Sequence, residues 1–155
     1  MIAVLDNIRS VHNVGSIFRT ADAVGVEKII LAGITPAPID RFGMVNKQLA
    51  KVALGAEKSV AWEQVSAALD ALKLLQQQGY YVIALEQDER AHSLFELQIQ
   101  RGVAKFALVV GAEVDGIAPE VLDAVDEIVD IPMRGAKESL NVSVAFGIAA
   151  YHYNK

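Results

Sequence analysis

The chain has 155 residues, and 14 Lys plus Arg against 19 Asp plus Glu leave a formal net charge of −5. At 53% hydrophobic and 21% charged residues, it is too apolar to be disordered, and its length suits one domain burying about two-thirds of its unfolded surface. The absence of cysteine excludes disulfide frameworks, thiolate nucleophiles, Cys-based zinc sites, iron–sulfur clusters and the zinc nucleobase deaminases. No apolar run reaches the roughly 18 residues of a membrane span. The first residues lack a basic segment followed by an apolar one, so no secretory signal is expected and a cytoplasmic location is. The acidic balance argues against wholesale electrostatic binding of nucleic acid but leaves room for a local basic face.

In chain order, Ile2 to Leu5 reads as a short buried strand. Asn13 to Val24 reads as a helix with Asn13 as its N-cap. Lys28 to Leu31 is a second strand, ended by Gly33, and Thr35 to Pro38 is a loop because two prolines forbid regular pairing. A short helix is expected from Val45 to Leu54, carrying Lys47 and Lys51. Glu63 to Gln78 reads as an amphipathic helix with Val65, Ala68, Leu69, Leu72 and Leu75 on one face, stopped by Gly79. Tyr80 to Leu85 is a third strand and Phe106 to Val110 a fourth, continuously apolar as a strand covered on both faces should be. Pro119 opens a helix through Val125, Glu127 to Ile131 is a fifth strand, and Leu140 to Tyr151 is the last helix. Strands alternating with helices predict an α/β fold, a mostly parallel sheet flanked by helices. In such sheets, ligands bind in the loops after the strand C-termini.

Three segments carry more information than a fold needs. The first runs from Asn7 to Gly25 and contains Asn13, Gly15 and Arg19. Gly15 lets another backbone approach, the helix N-terminus attracts phosphate, and Arg19 offers a forked donor. A capped surface helix is the plainer explanation of an isolated N-x5-R pattern. In the second segment, a buried strand runs into Gly111-Ala-Glu113-Val-Asp-Gly116. Here Glu113 stands where a dinucleotide fingerprint has glycine. In the third, Ile131-Pro-Met133-Arg-Gly leads to Ser139-Leu-Asn141-Val-Ser143. Ser139 is a plausible N-cap, but Asn and Ser in the first turn of an apolar helix need partners, which suggests a site.

Together the segments read N-x5-R-T, G-x-E-x-x-G and I-P-M-x-G-x3-S-L-N-V-S. In this order and spacing they closely resemble the SpoU/TrmH branch of the SPOUT RNA methyltransferases, from Asn7 to Tyr151. The resemblance implies one catalytic domain over residues 1–155 with a deep C-terminal trefoil knot, a rare exception to unknotted topology. It also implies a homodimer and an S-adenosylmethionine site, with S-adenosylhomocysteine as product and no metal. Its cofactor pocket maps onto Leu85 and the loop after it, Gly111, Glu113, Ile131, Met133 and Leu140. Its catalytic set maps onto Asn13, Arg19, Glu113, Ser139 and Asn141.

The implied reaction moves a methyl group from a sulfonium to a ribose 2′-hydroxyl of tRNA or rRNA, an in-line displacement that depends on placement. The family's description of the Arg19 equivalent as a base sits badly with a guanidinium pKa above about 12. Stabilising the developing alkoxide and clamping a phosphate suits it better. Glu113 is expected to brace the motif loops, and Ser139 and Asn141 to hold the target phosphate. Phosphate contacts are expected from Arg9, Arg19, Arg41, Lys47, Lys51, Arg134 and Lys137, with no separate RNA-binding extension. The aromatic end from Tyr151 to Lys155 suits a dimer interface. A knotted RNA-binding dimer without turnover and a related RNA base methyltransferase are the alternatives.

Overall fold

The computed structural model describes residues 1–96 and 105–153. In order, the elements are β1 (Ile2–Asp6), α1 (Val11–Val24), β2 (Lys28–Ala32), α2 (Lys47–Ala53), α3 (Ala56–Ser59), β3 (Ala61–Val65), α4 (Ala68–Gln77), β4 (Tyr81–Leu85), β5 (His92–Ser93), β6 (Phe106–Val110), α5 (Pro119–Leu122), β7 (Glu127–Asp130) and α6 (Val142–Tyr153). The strands form one sheet in the order β3-β2-β1-β6-β4-β7-β5. Every pairing in it is parallel.

The central strands β1 and β6 are buried at every position, as a sheet covered on both faces requires. On one face Ile17, Phe18, Leu49 and Phe146, from α1, α2 and α6, pack on Leu5, Leu31 and Leu108. On the other, Leu72, Leu75, Val121 and Leu122, from α4 and α5, pack on Val4, Val82 and Val109. Because β1, β4, β6 and β7 run parallel, the segments after them emerge at the same end of the sheet. All three motifs therefore lie at or lead into that end.

Several boundaries differ from the sequence reading. Residues 63–65, expected to begin a helix, belong instead to the edge strand β3, with Trp62 opposite Ile29 and Val65 opposite Ala32. Val65 shares the period of the following helix, but sheet pairing takes it, and α4 begins only at Ala68. The N-cap of α1 is Ser10, not Asn13: the Ser10 hydroxyl accepts from the Asn13 backbone N–H at 3.2 Å. Asn13 thus sits in the first turn with its side chain released for other work. The last helix starts at Val142 rather than Leu140. Ser139 does not cap it; the Asn141 side chain does, accepting from the Ser143 backbone N–H at 2.9 Å. The helix from Pro119 ends at Leu122. The two-residue β5 and the one-turn α3 are too short to carry a periodic signal. Asn154 and Lys155 lie outside the described residues.

Candidate active site

A cleft of about 570 Å³ opens at the C-terminal ends of β4, β6 and β7. Leu85, Gly111, Glu113, Ile131, Met133 and Leu140 all line it, as do Ser139 and Asn141. Gly111 directly follows β6, where the chain turns back on itself. A Cβ there would stand 2.6 Å from the Gly116 carbonyl carbon and the Ile117 nitrogen, so only glycine allows this turn.

One side chain joins the three motifs. The Asn13 amide Nδ2 donates to Glu113 Oε1 at 2.7 Å, and Asn13 Oδ1 accepts from Asn141 Nδ2 at 3.1 Å. Asn13 is buried, so losing either partner would strand a desolvated amide. Asn141 Oδ1 in turn accepts from the Ser143 hydroxyl at 2.7 Å. Burial pushes the Glu113 carboxyl up, but the Asn13 amide and the backbone N–H groups of Glu113, Arg9 and Ser10 outweigh it and hold the group below its usual 4.5. Glu113 is therefore an ionised acceptor in neutral solution, a brace for the loops around it.

Two residues of the loop after Leu85, which the sequence reading included without giving them a role, complete the cleft. Glu86 follows Leu85, and its Oε2 accepts from the Ile117 backbone N–H at 2.9 Å, fixing the turn after Glu113. Gln87 Nε2 donates to the Glu138 carbonyl at 2.6 Å, tying the loop after β4 to the loop before α6. Their signal was position alone, directly after a buried strand. Further along the same loop, Arg90 bonds Asp88 and Asp123, and the Arg90 hydrogen bonds hold the Asp88 carboxyl down at about 2.

Arg19 is not in this cleft. It is exposed on α1 and lines a separate groove against α2 with His12, Ser16, Gln48 and Lys51. Six helical residues from Asn13 correspond to about 9 Å along the axis and about 240° around it, which turns the guanidinium away from its own chain's cleft. Gly15 permits the α1–α2 approach: a Cβ there would lie 2.8 Å from Val52 Cβ and 3.0 Å from the Leu49 carbonyl oxygen. The other expected phosphate contacts, Arg9, Arg41, Lys47, Arg134 and Lys137, are all exposed. They spread over three segments. Arg9 meets Asp115 at 3.2 Å across the first two motif loops. Arg41 lies over the Phe42 ring at 4.7 Å.

A parallel sheet with a strand-end cleft, braced by an Asn–Glu–Asn bridge from three separate segments, is the arrangement of a SpoU-family domain. Residues 1–151 match the SpoU rRNA Methylase family, and the chain belongs to that family. It is 38% identical over 97% of its length to the 23S rRNA (guanosine-2′-O-)-methyltransferase RlmB of Ralstonia nicotianae, covering 57% of that protein. The RlmB of Escherichia coli K12 is 34% identical over the same share, with 58% of it covered. The chain thus spans somewhat more than half the length of these relatives. The structure of the A. aeolicus TrmH/SpoU tRNA modifying enzyme superposes with a TM-score of 0.83 at 30% identity, covering 99% of this chain and 73% of that one.

Proposed function

We propose that this chain is a catalytic domain that transfers a methyl group from S-adenosylmethionine to a ribose 2′-hydroxyl of rRNA or tRNA, as a homodimer. The observation that carries the proposal is the two-sided hydrogen bonding of Asn13, which joins the helix bearing Arg19 to Glu113 and Asn141 at the rim of the cleft. The named relatives act on 23S rRNA, and the A. aeolicus neighbour is a tRNA modifying enzyme, so both RNA classes are candidate substrates. The reading includes a single domain over residues 1–155, the trefoil knot in the motif loops, and a cytoplasmic location.

The cleft suits the methyl donor. Its volume falls within the range of about 300–1,000 Å³ usual for small-molecule sites. Leu85, Ile131 and Leu140 supply apolar walls, and the turn at Gly111 leaves backbone groups within reach of a nucleoside. Bound there, the donor supplies an electrophilic methyl on a sulfonium. The chain's own residues then place the acceptor. Ser139 and Asn141 hold the phosphate side of the target nucleotide. Glu113, already ionised and engaged, keeps Asn13 and the loop after β6 in place. A guanidinium keeps its charge in proteins, so Arg19 stabilises the alkoxide that develops on the ribose oxygen and clamps the neighbouring phosphate.

The position of Arg19 calls for a second copy. Helix α6 is apolar on all sides, and Leu140, Val144, Ile148 and Tyr151 remain 36–57% exposed along one stripe. A helix of that kind is normally covered. In the proposed dimer a second copy covers this stripe in two-fold symmetry, and the α1 face of one subunit would meet the cleft of the other.

The direct test is incubation of the protein with S-adenosylmethionine carrying a tritiated methyl group and bulk tRNA or rRNA, followed by nucleoside analysis. The expected product is a 2′-O-methyl nucleoside. A methylated base, or no incorporation despite donor binding, would overturn the proposal.

A further inference from the structure

The segment between β2 and α2 is an unusual piece of surface. A small hairpin is closed by an antiparallel bridge between Ile39 and Val45. Its tip is held by the Asp40 carboxylate, whose Oδ1 accepts from the Phe42 and Met44 backbone N–H groups at 2.8 and 2.9 Å. Three backbone bonds add to this: Asp40 N–H to Met44 O, Gly43 N–H to Asp40 O, and Asn46 N–H to Pro38 O. Gly43, at φ +80°, supplies the left-handed residue of the turn. So ordered a loop would be expected to tuck its apolar side chains inward. Instead Phe42 is 75% exposed and Met44 65%, while the Arg41 guanidinium sits over the Phe42 ring.

The charge around the tip favours an anionic occupant. From residue 29 to residue 56, Asp40 is the only acid, and the turn already uses its carboxylate. Arg41, Lys47 and Lys51 face it in the same stretch. Lys47 and Lys51 are four apart on α2 and so share a face. Lys51 lines the same groove as Arg19. The hairpin follows β2 and therefore stands at the end of the sheet where the cleft opens.

We propose that the 38–46 hairpin is a base-stacking subsite, in which Phe42 and Arg41 receive the face of an unpaired nucleotide while Lys47 and Lys51 follow its phosphates toward Arg19. Aromatic rings and guanidinium planes are the groups on which proteins stack splayed RNA bases. A tip ordered before binding loses little entropy when a base arrives. The occupied nucleotide is a neighbour of the methylated one, so the subsite selects RNA in which that neighbour is unpaired. This inference rests on the RNA methyltransferase reading above.

The test uses the whole chain with bulk tRNA and rRNA as probes. Phe42→Ala should raise the RNA KM by roughly 5- to 100-fold, with the affinity for S-adenosylmethionine and kcat at saturating RNA unchanged. Phe42→Trp should restore the KM, Phe42→Leu should not, and the new tryptophan's fluorescence should be quenched by RNA beyond any change at Trp62 in the parent protein. A wild-type KM in Phe42→Ala would overturn the subsite while leaving the methyltransferase reading intact. So would a changed oligomeric state in Phe42→Ala, since the hairpin would then belong to a protein interface. An unaltered protein that neither binds nor methylates RNA would overturn both.

Discussion

The strand-end cleft and the α1–α2 groove lie on the same chain but are built differently. The cleft is cross-braced: Asn13, Glu113 and Asn141 bond one another, Glu86 fixes the turn at Ile117, and Gln87 reaches Glu138. The groove presents exposed cations, Arg19 and Lys51, from two packed helices. Among the described residues neither makes an ion pair. A small donor with fixed shape rewards a preformed pocket, whereas a phosphate backbone rewards accessible charge that a partner then neutralises. On one chain the two regions have separate linings; the proposed dimer would bring them together, and that is where the chemistry is proposed to happen.

The largest expected effect comes from the groove. Arg19→Ala should lower methyl transfer by about a hundred- to a thousandfold, as loss of a transition-state donor does, while calorimetry shows donor binding unchanged. Arg19→Lys should not rescue, because an ammonium lacks the fork. An active lysine variant would leave Arg19 as a simple point charge.

Next is the wall of the cleft. Gly111→Ala forces a Cβ against the Gly116 and Ile117 backbone, which cannot yield as a side chain would. Donor binding should weaken by at least tenfold, read by calorimetry, with RNA retention by filter binding largely kept. Equal loss of both would blur the division between the two regions.

Asn13→Ala should destabilise the fold by about 1–3 kcal/mol, because it removes two hydrogen bonds from a buried position, measured by denaturant unfolding. It should also reduce transfer, since Glu113 and Asn141 lose their common partner. Asn13→Asp should be no better, because a carboxylate cannot donate to Glu113.

The smallest effect is a pH dependence. The folded Glu113 carboxyl lies below its ordinary 4.5, so its contribution to stability is present above that value and is lost as pH falls through the folded value. Glu113→Gln should flatten the acid limb of the stability curve below about pH 4.5. An unchanged acid limb would show that the brace contributes no pH-linked stability.

The sequence was most legible where one requirement acts on many residues. The buried strands read as apolar runs because both sheet faces are covered, and the residues that line the strand-end cleft were legible because they follow the ends of those strands. Legibility failed where tertiary contacts overrule local pattern. Val65 fits a helix period, yet pairing with Ala32 makes it strand. Asn13 fits an N-cap, yet Ser10 takes that role and frees Asn13 to bridge the motifs. The separation of Arg19 from its own cleft was also hidden. Six helical positions fix the angle of Arg19 from Asn13, but not which side of α1 the cleft occupies, because that is set by the tertiary bonds of Asn13 to Glu113 and Asn141.

The most direct measurement is complementation between two impaired variants, assayed at a donor concentration too low to load the Gly111→Ala cleft. Arg19→Ala and Gly111→Ala chains, co-expressed with different tags and purified through both, give only mixed dimers. Each such dimer would carry one intact cleft facing one intact Arg19, so about half of the wild-type activity should return. Mixed dimers as inactive as either parent would mean that guanidinium and methyl donor do not meet across two subunits.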